Sequence, residues 1–329
     1  MKNPLAVIIL NWNGAEDTCA CLSSLVLSLA GAKIFVVDNC SEEADFCRLK
    51  RFLPSLPVKT KMVAEEDFLP DSGLAEDVFL IRNRANYGFA GGNNRVAEKL
   101  TAFFDSILFL NNDTEIPPGS LGQMLAYMDK TPGIGMLSCN IHYHYDPEKL
   151  WNAGGNLTFY GDRRYHSEKK IARLAAAGKE TIRCTFLTGC ALMIRTSVLE
   201  RLGGFTEDFF FGEEDFNLCM RYRKAGVKGV SLLQTVIYHK VGASASRASG
   251  SAGRTALHYL NRAVDMKRFY PRFYWRLWRR VYMALVALKC PGWGFTEEEK
   301  QKIVDTVFSL SETEDRVTRE TYLRVMGGK

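Results

Sequence analysis

Eight residues, Ile107-Leu108-Phe109-Leu110-Asn111-Asn112-Asp113-Thr114, constrain this chain more than any others. An apolar run ends abruptly in two amides and a carboxylate, and Pro117-Pro118-Gly119 closes the stretch. A continuous apolar run of strand length is what a parallel strand buried on both faces requires. Such a strand delivers Asp113 to the carboxyl edge of a sheet, where open α/β sheets bind ligands. An aspartate there, with Asn neighbours, suits a hydrated divalent cation that holds phosphates. Asn-Asn-Asp-Thr also makes a polar turn and caps a helix after Pro117, so both readings stand at this point.

The same pattern recurs upstream. Leu5 to Leu10 is an apolar strand closed by Asn11-Trp12-Asn13-Gly14, and Ala15 to Leu29 reads as a helix with a face of Leu22, Leu25 and Leu29. Lys33 to Val37 is a second buried strand and ends in Asp38-Asn39. The spacing predicts a parallel βαβ unit. The first turn lacks Gly-x-Gly-x-x-Gly, which argues against a nicotinamide enzyme. Ser41 to Asp77 reads as a short helix followed by a surface excursion. Val78 to Ile81 is a third strand, leading into Arg82 to Asn94 with its Gly88, Gly91 and Gly92. That glycine-rich turn before a helix lets backbone approach a ligand and aims a positive helix end at it; a tight turn needs the same glycines.

Beyond the Ser120 to Lys130 helix, Ile134 to Leu137 is a short strand. Trp151 to Gly155 reads as a turn and Arg163 to Lys170 as an exposed loop. Thr181 to Thr188 and Cys190 to Ile194 suggest strands broken by Gly189. Glu213-Glu214-Asp215 opens a helix that runs to Gly226, and capping accounts for carboxylates at such a position. Residues two apart point to different helix faces, however, so capping does not explain Glu213 and Asp215 together. Val227 to Ile237 gives two short strands ending at Tyr238-His239. Gly242 to Gly253 reads as a small-residue linker or a mobile loop, and helices follow over Ala256–Tyr270, Phe273–Leu288, Phe295–Leu310 and Glu312–Val325.

With 329 residues, 47% of them hydrophobic, the chain can bury a large core as one domain or one plus an appendage. Its nine cysteines show no Cys-x-x-Cys pairing, so structural zinc is not expected and buried free thiols in a reducing compartment are. The N-terminus carries no secretory signal and no apolar run reaches membrane-spanning length, which points to a cytoplasmic protein.

Several elements occur in one order: a strand ending Asn11-Trp12-Asn13, Asp38-Asn39, Asn86-x-Gly-Phe-Ala-Gly-Gly-Asn-Asn, and Leu110-Asn111-Asn112-Asp113-Thr114. They are followed by Gly212-Glu-Glu-Asp-Phe-Asn-Leu-Cys-x-Arg221 and His239-x-x-Gly242-x-Ser244. Over roughly residues 4 to 270 this set resembles family 2 glycosyltransferases, nearest their bacterial rhamnosyltransferase-like members. The resemblance implies an α/β GT-A fold: a Rossmann-like nucleotide-binding half fused to an acceptor half around one mixed sheet, with a C-terminal helical appendage. The boundaries expected are residues 1–115, 116–252 and 253–329. It implies inverting transfer of a sugar, L-rhamnose in that subgroup, from a dTDP or UDP sugar to a glycan or lipid-linked acceptor, in polysaccharide or cell-envelope synthesis.

On matched positions, Asp38 would read the base and Asn11 and Asn13 would line the nucleoside pocket, with Asn86 beside them. Asn111 would contact ribose or sugar. Asp113 and His239 would hold Mg2+ or Mn2+, and Asp215 would be the catalytic base with Glu214 beside it. Asn217 departs from the pattern, which usually carries Asp there. A catalytically inactive nucleotide-sugar-binding protein and a nucleotidyltransferase are the alternatives; the first would lack Asp113 or Asp215, and the second would carry a basic Gly-rich first turn. Finally, Arg272, Arg276, Arg279 and Arg280 interleave with Trp275 and Trp278 beside an apolar face. That pattern favours peripheral contact with an anionic membrane, on its inner face, over plain packing, and over nucleic acid, for which no recognition module is present.

Overall fold

The computed structural model describes residues 2–70, 74–241 and 252–327. The Gly242-x-Ser244 match, and the expected linker up to residue 251, lie outside the described residues.

Strand β1 (Asn3–Asn11) leads through α1 (Ala15–Val26) to β2 (Lys33–Asp38), and the two strands pair in parallel as the spacing predicts. Next come α2 (Glu43–Phe52) and β3 (Thr60–Ala64), in the segment read as a surface excursion. β3 is a parallel edge strand on β4 (Val78–Arg82). Its Thr-Lys-Met-Val-Ala sequence is only partly covered, so it lacks the continuous apolar run that marks its neighbours. Helix α3 (Gly88–Leu100) then returns the chain to β5 (Phe104–Asn111), which pairs with β1 at the centre of the sheet.

Strand residues alternate between two cores, which explains why Leu5 to Leu10 of β1 and Ile107 to Leu110 of β5 are continuously apolar. Ala6, Ile8, Ile107 and Phe109 face α3, while Leu5, Val7, Ile9, Leu108 and Leu110 face α1, α2 and the helix α4 (Ser120–Lys130). Between β5 and α4 lies the short β6 (Thr114–Glu115).

The second half departs further from expectation. Residues 136–176 form β7 (Met136–Tyr143), β8 (Asp146–Asn152), β9 (Gly155–Leu157), β10 (Arg163–Tyr165) and α5 (Glu168–Ala176). The supposed turn from Trp151 is confined to Ala153 and Gly154 between β8 and β9, and the supposed loop from Arg163 is strand to Tyr165 and helix from Glu168, with β9 and β10 making their own hairpin. β11 (Thr181–Cys184) and β12 (Ala191–Arg195) are followed by α6 (Thr196–Leu202) and α7 (Glu214–Lys224). The two short strands expected from Val227 are one long strand, β13 (Gly229–His239), whose pairing with β7 shifts register between Leu232 and Val236. The irregularity is tied down: Asn140 Nδ2 donates to the Leu233 carbonyl at 2.7 Å and Thr235 Oγ1 to Gln123 Oε1 at 2.7 Å.

The main path of the mixed sheet runs β11-β13-β7-β12-β5-β1-β2-β4-β3. No break separates the two halves expected to meet at residue 115. At the C-terminus α8 (Ala252–Phe269), α9 (Arg272–Lys289), α10 (Glu297–Thr313) and α11 (Arg319–Met326) share a core of their own, including Leu260, Val264, Ile303 and Val307. Yet Met266 of α8 and Trp275 and Trp278 of α9 sit in the main core. The tryptophans that suggested a membrane-facing helix are thus buried, Trp275 donating to the Ala263 carbonyl and Trp278 to that of Tyr160, each at 2.7 Å. Among the described residues no helix is long and apolar enough to cross a membrane.

Candidate active site

The parallel strands end in register. Asn11 lies opposite Asp38, Asp38 opposite Arg82, and Leu10 opposite Asn111, so one row of polar side chains crosses the carboxyl edge of the sheet. Asn11 is fully buried; its Nδ2 reaches Asp38 Oδ1 (3.0 Å), Ser41 Oγ (3.1 Å) and Asp45 Oδ2 (3.0 Å), and its Oδ1 accepts from Thr18 (2.8 Å). Asp38 is equally buried, its second oxygen accepting the Ser41 N–H at 3.2 Å. Both side chains, expected to touch a nucleoside, are committed internally and shape the edge. Asn13, exposed at φ 51°, accepts the Glu42 N–H at 2.8 Å and sits on the outer rim.

A second lattice of amides lies beside the first. Asn83 donates to Asn39 (3.0 Å), Asn39 to Asn86 (2.9 Å), and Asn86 Oδ1 accepts the Gly88 N–H (2.9 Å) at the start of α3. The glycines of this turn make close approaches to protein. A Cβ on Gly88 would lie 2.4 Å from the Phe210 carbonyl oxygen, and one on Gly92 2.5 Å from Leu10 Cδ1. The tight turn, and not a ligand, accounts for them.

At the end of β5, Asn111 is half-buried, and Asn112 beyond it donates to the Gly14 carbonyl (3.2 Å) and Thr18 Oγ1 (3.0 Å). Asp113 meets His239 there: Asp113 Oδ1 and His239 Nε2 are 2.9 Å apart across 126 residues of sequence. The meeting is enforced by β-pairing, since His239 of β13 lies opposite Thr114 of β6. Trp151, left without a role by the sequence, packs edge-on against the imidazole at 4.5 Å between ring centroids. His239 Nδ1 is buried with no hydrogen-bond partner among the described residues.

The donor set fits a divalent ion. Two ligands at about 2.1 Å and a right angle lie about 3 Å apart, which is the separation observed. Among the described residues no group of three or more His, Cys, Asp or Glu side chains gathers to hold a metal. An ion here would take these two donors from the described residues and keep positions for phosphate oxygens and water, with imidazole favouring Mn2+ over Mg2+.

The carboxylates at the start of α7 separate by direction. Glu213, at φ 76°, turns into the core and pairs with Arg262 of α8, both side chains almost wholly buried. Arg262 also donates to the Gly161 carbonyl at 2.8 Å and stacks its guanidinium 3.5 Å from the Phe216 ring centroid. Glu214 is buried with Oε2 unpartnered, and burial, then the adjacent Asp215 charge, pushes its carboxyl up to about 8. Asp215 keeps 19% of its side chain exposed. One oxygen accepts the Gly189 N–H at 3.3 Å and the other lies 3.7 Å from Arg163. Burial raises the Asp215 pKa above the ordinary carboxylate value, and the Arg163 charge pulls against that shift. Gly189 precedes Cys190, whose carbonyl accepts the Asn111 N–H at 2.8 Å, so Asp215 and Asp113 share one sheet edge.

Asn217 donates to Asp265 and accepts from Arg221 Nε at 2.8 Å. An aspartate at 217 would set a second carboxylate against buried Asp265, which explains the amide here. Arg163 and Arg262 were not legible beforehand, since neither sits in a patterned motif. A cavity of about 500 Å³ behind α7, lined by Asn94, Glu207, Asn217, Arg221 and Arg268, includes neither Asp113 nor Asp215 in its wall.

Residues 3–254 match the family described as "Glycosyltransferase like family 2". The chain is 28% identical over 163 residues to the O-antigen biosynthesis protein RfbC of Myxococcus xanthus, covering 48% of this chain but 12% of that protein. It thus spans only a small part of that relative's length. It is 24% identical over 237 residues to an N-acetylglucosaminyl-diphospho-decaprenol L-rhamnosyltransferase of Mycobacterium tuberculosis, covering 62% of this chain and 75% of that one. A crystal structure of GalNAc-T7 with UDP, GalNAc and Mn2+ superposes with a TM-score of 0.62 at 14% identity, over 98% of this chain and 56% of the other. The likeness establishes the shared GT-A architecture.

Proposed function

The chain belongs to glycosyltransferase family 2, and from that premise we propose that it moves a sugar from a nucleoside diphosphate to an acceptor hydroxyl, inverting the anomeric centre. The observation that carries the reading is the contact of Asp113 with His239 at the same sheet edge as a partly exposed Asp215.

In this reading Asp215 is the base. Its carboxylate takes the proton of the acceptor hydroxyl as that oxygen bonds to the anomeric carbon, and the bond to the diphosphate oxygen breaks with its electron pair. A raised pKa makes Asp215 a better proton acceptor than an ordinary carboxylate, and the Gly189 N–H holds one oxygen while the other lies 3.7 Å from Arg163. Burial pushes the Glu214 carboxyl up to about 8, which favours its neutral form at neutral pH, and the group is closed off, so it serves the arrangement and not the proton transfer. Mg2+ or Mn2+ bound by Asp113 and His239 would neutralise charge building on the leaving diphosphate. Asp38 and Asn11 would act by setting the shape of the nucleoside pocket, with Asn13, Asn86 and Asn111 nearer the ligand.

The finer assignment is a dTDP-linked or UDP-linked donor, with L-rhamnose as the sugar, and a glycan or lipid-linked acceptor of cell-envelope synthesis. The names of the Mycobacterium and Myxococcus relatives support it. Thermal denaturation with nucleoside diphosphates and their sugars, with and without Mn2+, tests the donor site, because a ligand of the folded state raises Tm by mass action. The expected result is stabilisation by dTDP or UDP that grows with Mn2+. Stabilisation by no diphosphate under any metal overturns the assignment. Asp215→Asn should retain that shift and lose transfer by roughly 10²–10⁴-fold; loss of both would make Asp215 structural.

A further inference from the structure

With its tryptophans turned inward, α9 still shows an apolar stripe to solvent. Phe273 and Leu288 are 82% and 78% exposed, and Leu277, Val281 and Leu285 are 52%, 54% and 52% exposed. At 3.6 residues per turn these side chains fall within about 120° of arc and run about 22 Å along the helix. Scattered exposed leucines need no explanation, but a continuous helical stripe of this length does.

The charge around the stripe identifies what covers it. The helix, Arg-Phe-Tyr-Trp-Arg-Leu-Trp-Arg-Arg-Val-Tyr-Met-Ala-Leu-Val-Ala-Leu-Lys, has no carboxylate. Arg276 and Arg279 are held by Glu312 of α10, while Arg272, Arg280 and Lys289 have no acidic partner among the described residues. Arg280 borders the stripe near its midpoint. A second copy packed two-fold along this face would set Arg280 against its own counterpart, a like-charge contact. A layer of anionic headgroups over apolar chains satisfies both features: leucine and phenylalanine enter the acyl boundary while arginine and lysine stay among the phosphates.

We propose that α9 docks this protein onto an anionic lipid bilayer through Phe273, Leu277, Val281, Leu285 and Leu288, with Arg272, Arg280 and Lys289 engaging the headgroups. Helix α9 and the Tyr270 that precedes it are wired to the catalytic edge. Trp278 donates to the Tyr160 carbonyl at 2.7 Å, Tyr270 Oη to that of exposed Phe159 at 3.0 Å, and the segment continues to Arg163 beside Asp215. Docking therefore holds the segment beside the proposed base near the lipid surface, whatever sugar is transferred.

The test is co-sedimentation of the full chain with vesicles of 1:1 phosphatidylglycerol and phosphatidylcholine, against pure phosphatidylcholine vesicles. Binding to the anionic vesicles, weakened by salt, is expected, as is at least a tenfold loss in Leu277→Glu/Leu285→Glu and in Arg272→Gln/Arg280→Gln/Lys289→Gln. Both variants should keep the wild-type Tm and diphosphate-induced shift, since neither set lies in the core or the donor site. No binding to anionic vesicles overturns the proposal, and so does binding that survives the glutamates. A dimer in sedimentation velocity that Leu285→Glu dissociates would assign the face to a second copy and overturn it as well.

Discussion

Replacing Arg262 with methionine isolates the contact that holds the start of α7. The guanidinium is fully buried and the Glu213 carboxylate nearly so, so Arg262→Met strands an ionised carboxylate in the core, at a cost of about 3–5 kcal/mol. It also strips the Gly161 carbonyl of its donor, adding about 1 kcal/mol or more for an unsatisfied group. A total of about 4–6 kcal/mol is expected from urea denaturation followed by circular dichroism at pH 7.5. Arg262→Met/Glu213→Met removes both charges and should recover to within about 2 kcal/mol of wild type, as replaced buried ion pairs do. A loss below about 1 kcal/mol in the single variant, against the range above, or a double variant as unstable as the single, would refute the claim that charge pairing secures this helix. Arg262 lies beyond residues 3–254, the part that matches the family, so the outcome also decides whether α8 belongs to the catalytic unit.

Three further outcomes are expected. His239→Ala should abolish the Mn2+-dependent part of a dTDP-induced or UDP-induced Tm shift and leave the metal-free part, and an intact metal effect would remove His239 from the site. Glu214 and Asp265 are each pushed to about 8, mainly by burial. The folded chain therefore holds protons that the unfolded chain, with ordinary carboxyls, releases; stability from these groups is complete below about pH 4 and declines as pH rises to about 8, by up to about 1.4 kcal/mol per pH unit per group. Glu214→Gln and Asp265→Asn should each flatten that decline, measured by urea midpoints between pH 5 and 8, and an unchanged slope would count against buried protonation. Gly88 and Gly119 both have positive φ, but only Gly88 has backbone, the Phe210 carbonyl, where a Cβ would go. Gly119→Ala should cost about 1–2 kcal/mol and Gly88→Ala about 3 or more, read from the same denaturation; equal costs would refute the clash.

What could be read in the sequence was whatever announces itself locally. The apolar runs of β1, β2, β4 and β5 are buried on both faces, so each residue carries the signal. The motif order, through the family resemblance, named Asp113 and His239 as metal ligands, and the fold sets the two side chains 2.9 Å apart although 126 residues separate them. The edge strand β3 and the β9–β10 hairpin were not legible, because short, half-solvated strands owe their form to neighbours and not to their own pattern. Arg163 and Arg262 were missed for the same reason: each gains meaning only from a carboxylate brought to it by the tertiary fold. Asp38 and Asn11, named from the motif for a nucleoside contact, are buried and hydrogen-bonded to each other within the edge.

The irregularity in β13 has a consequence in counting. Cys139 faces Leu232 and the next residue, Asn140, faces Val236, so Leu233 to Thr235 have no counterparts on β7. Because side chains alternate up and down a strand, an odd surplus inverts the parity of every residue after it. His239 points at Asp113 only because that surplus is odd; an even one would present Tyr238 or Lys240 in its stead. The chemistry at one end of the strand thus depends on the number of residues in a kink near its middle, which insertion or deletion would scramble while every nominal ligand stayed in the sequence.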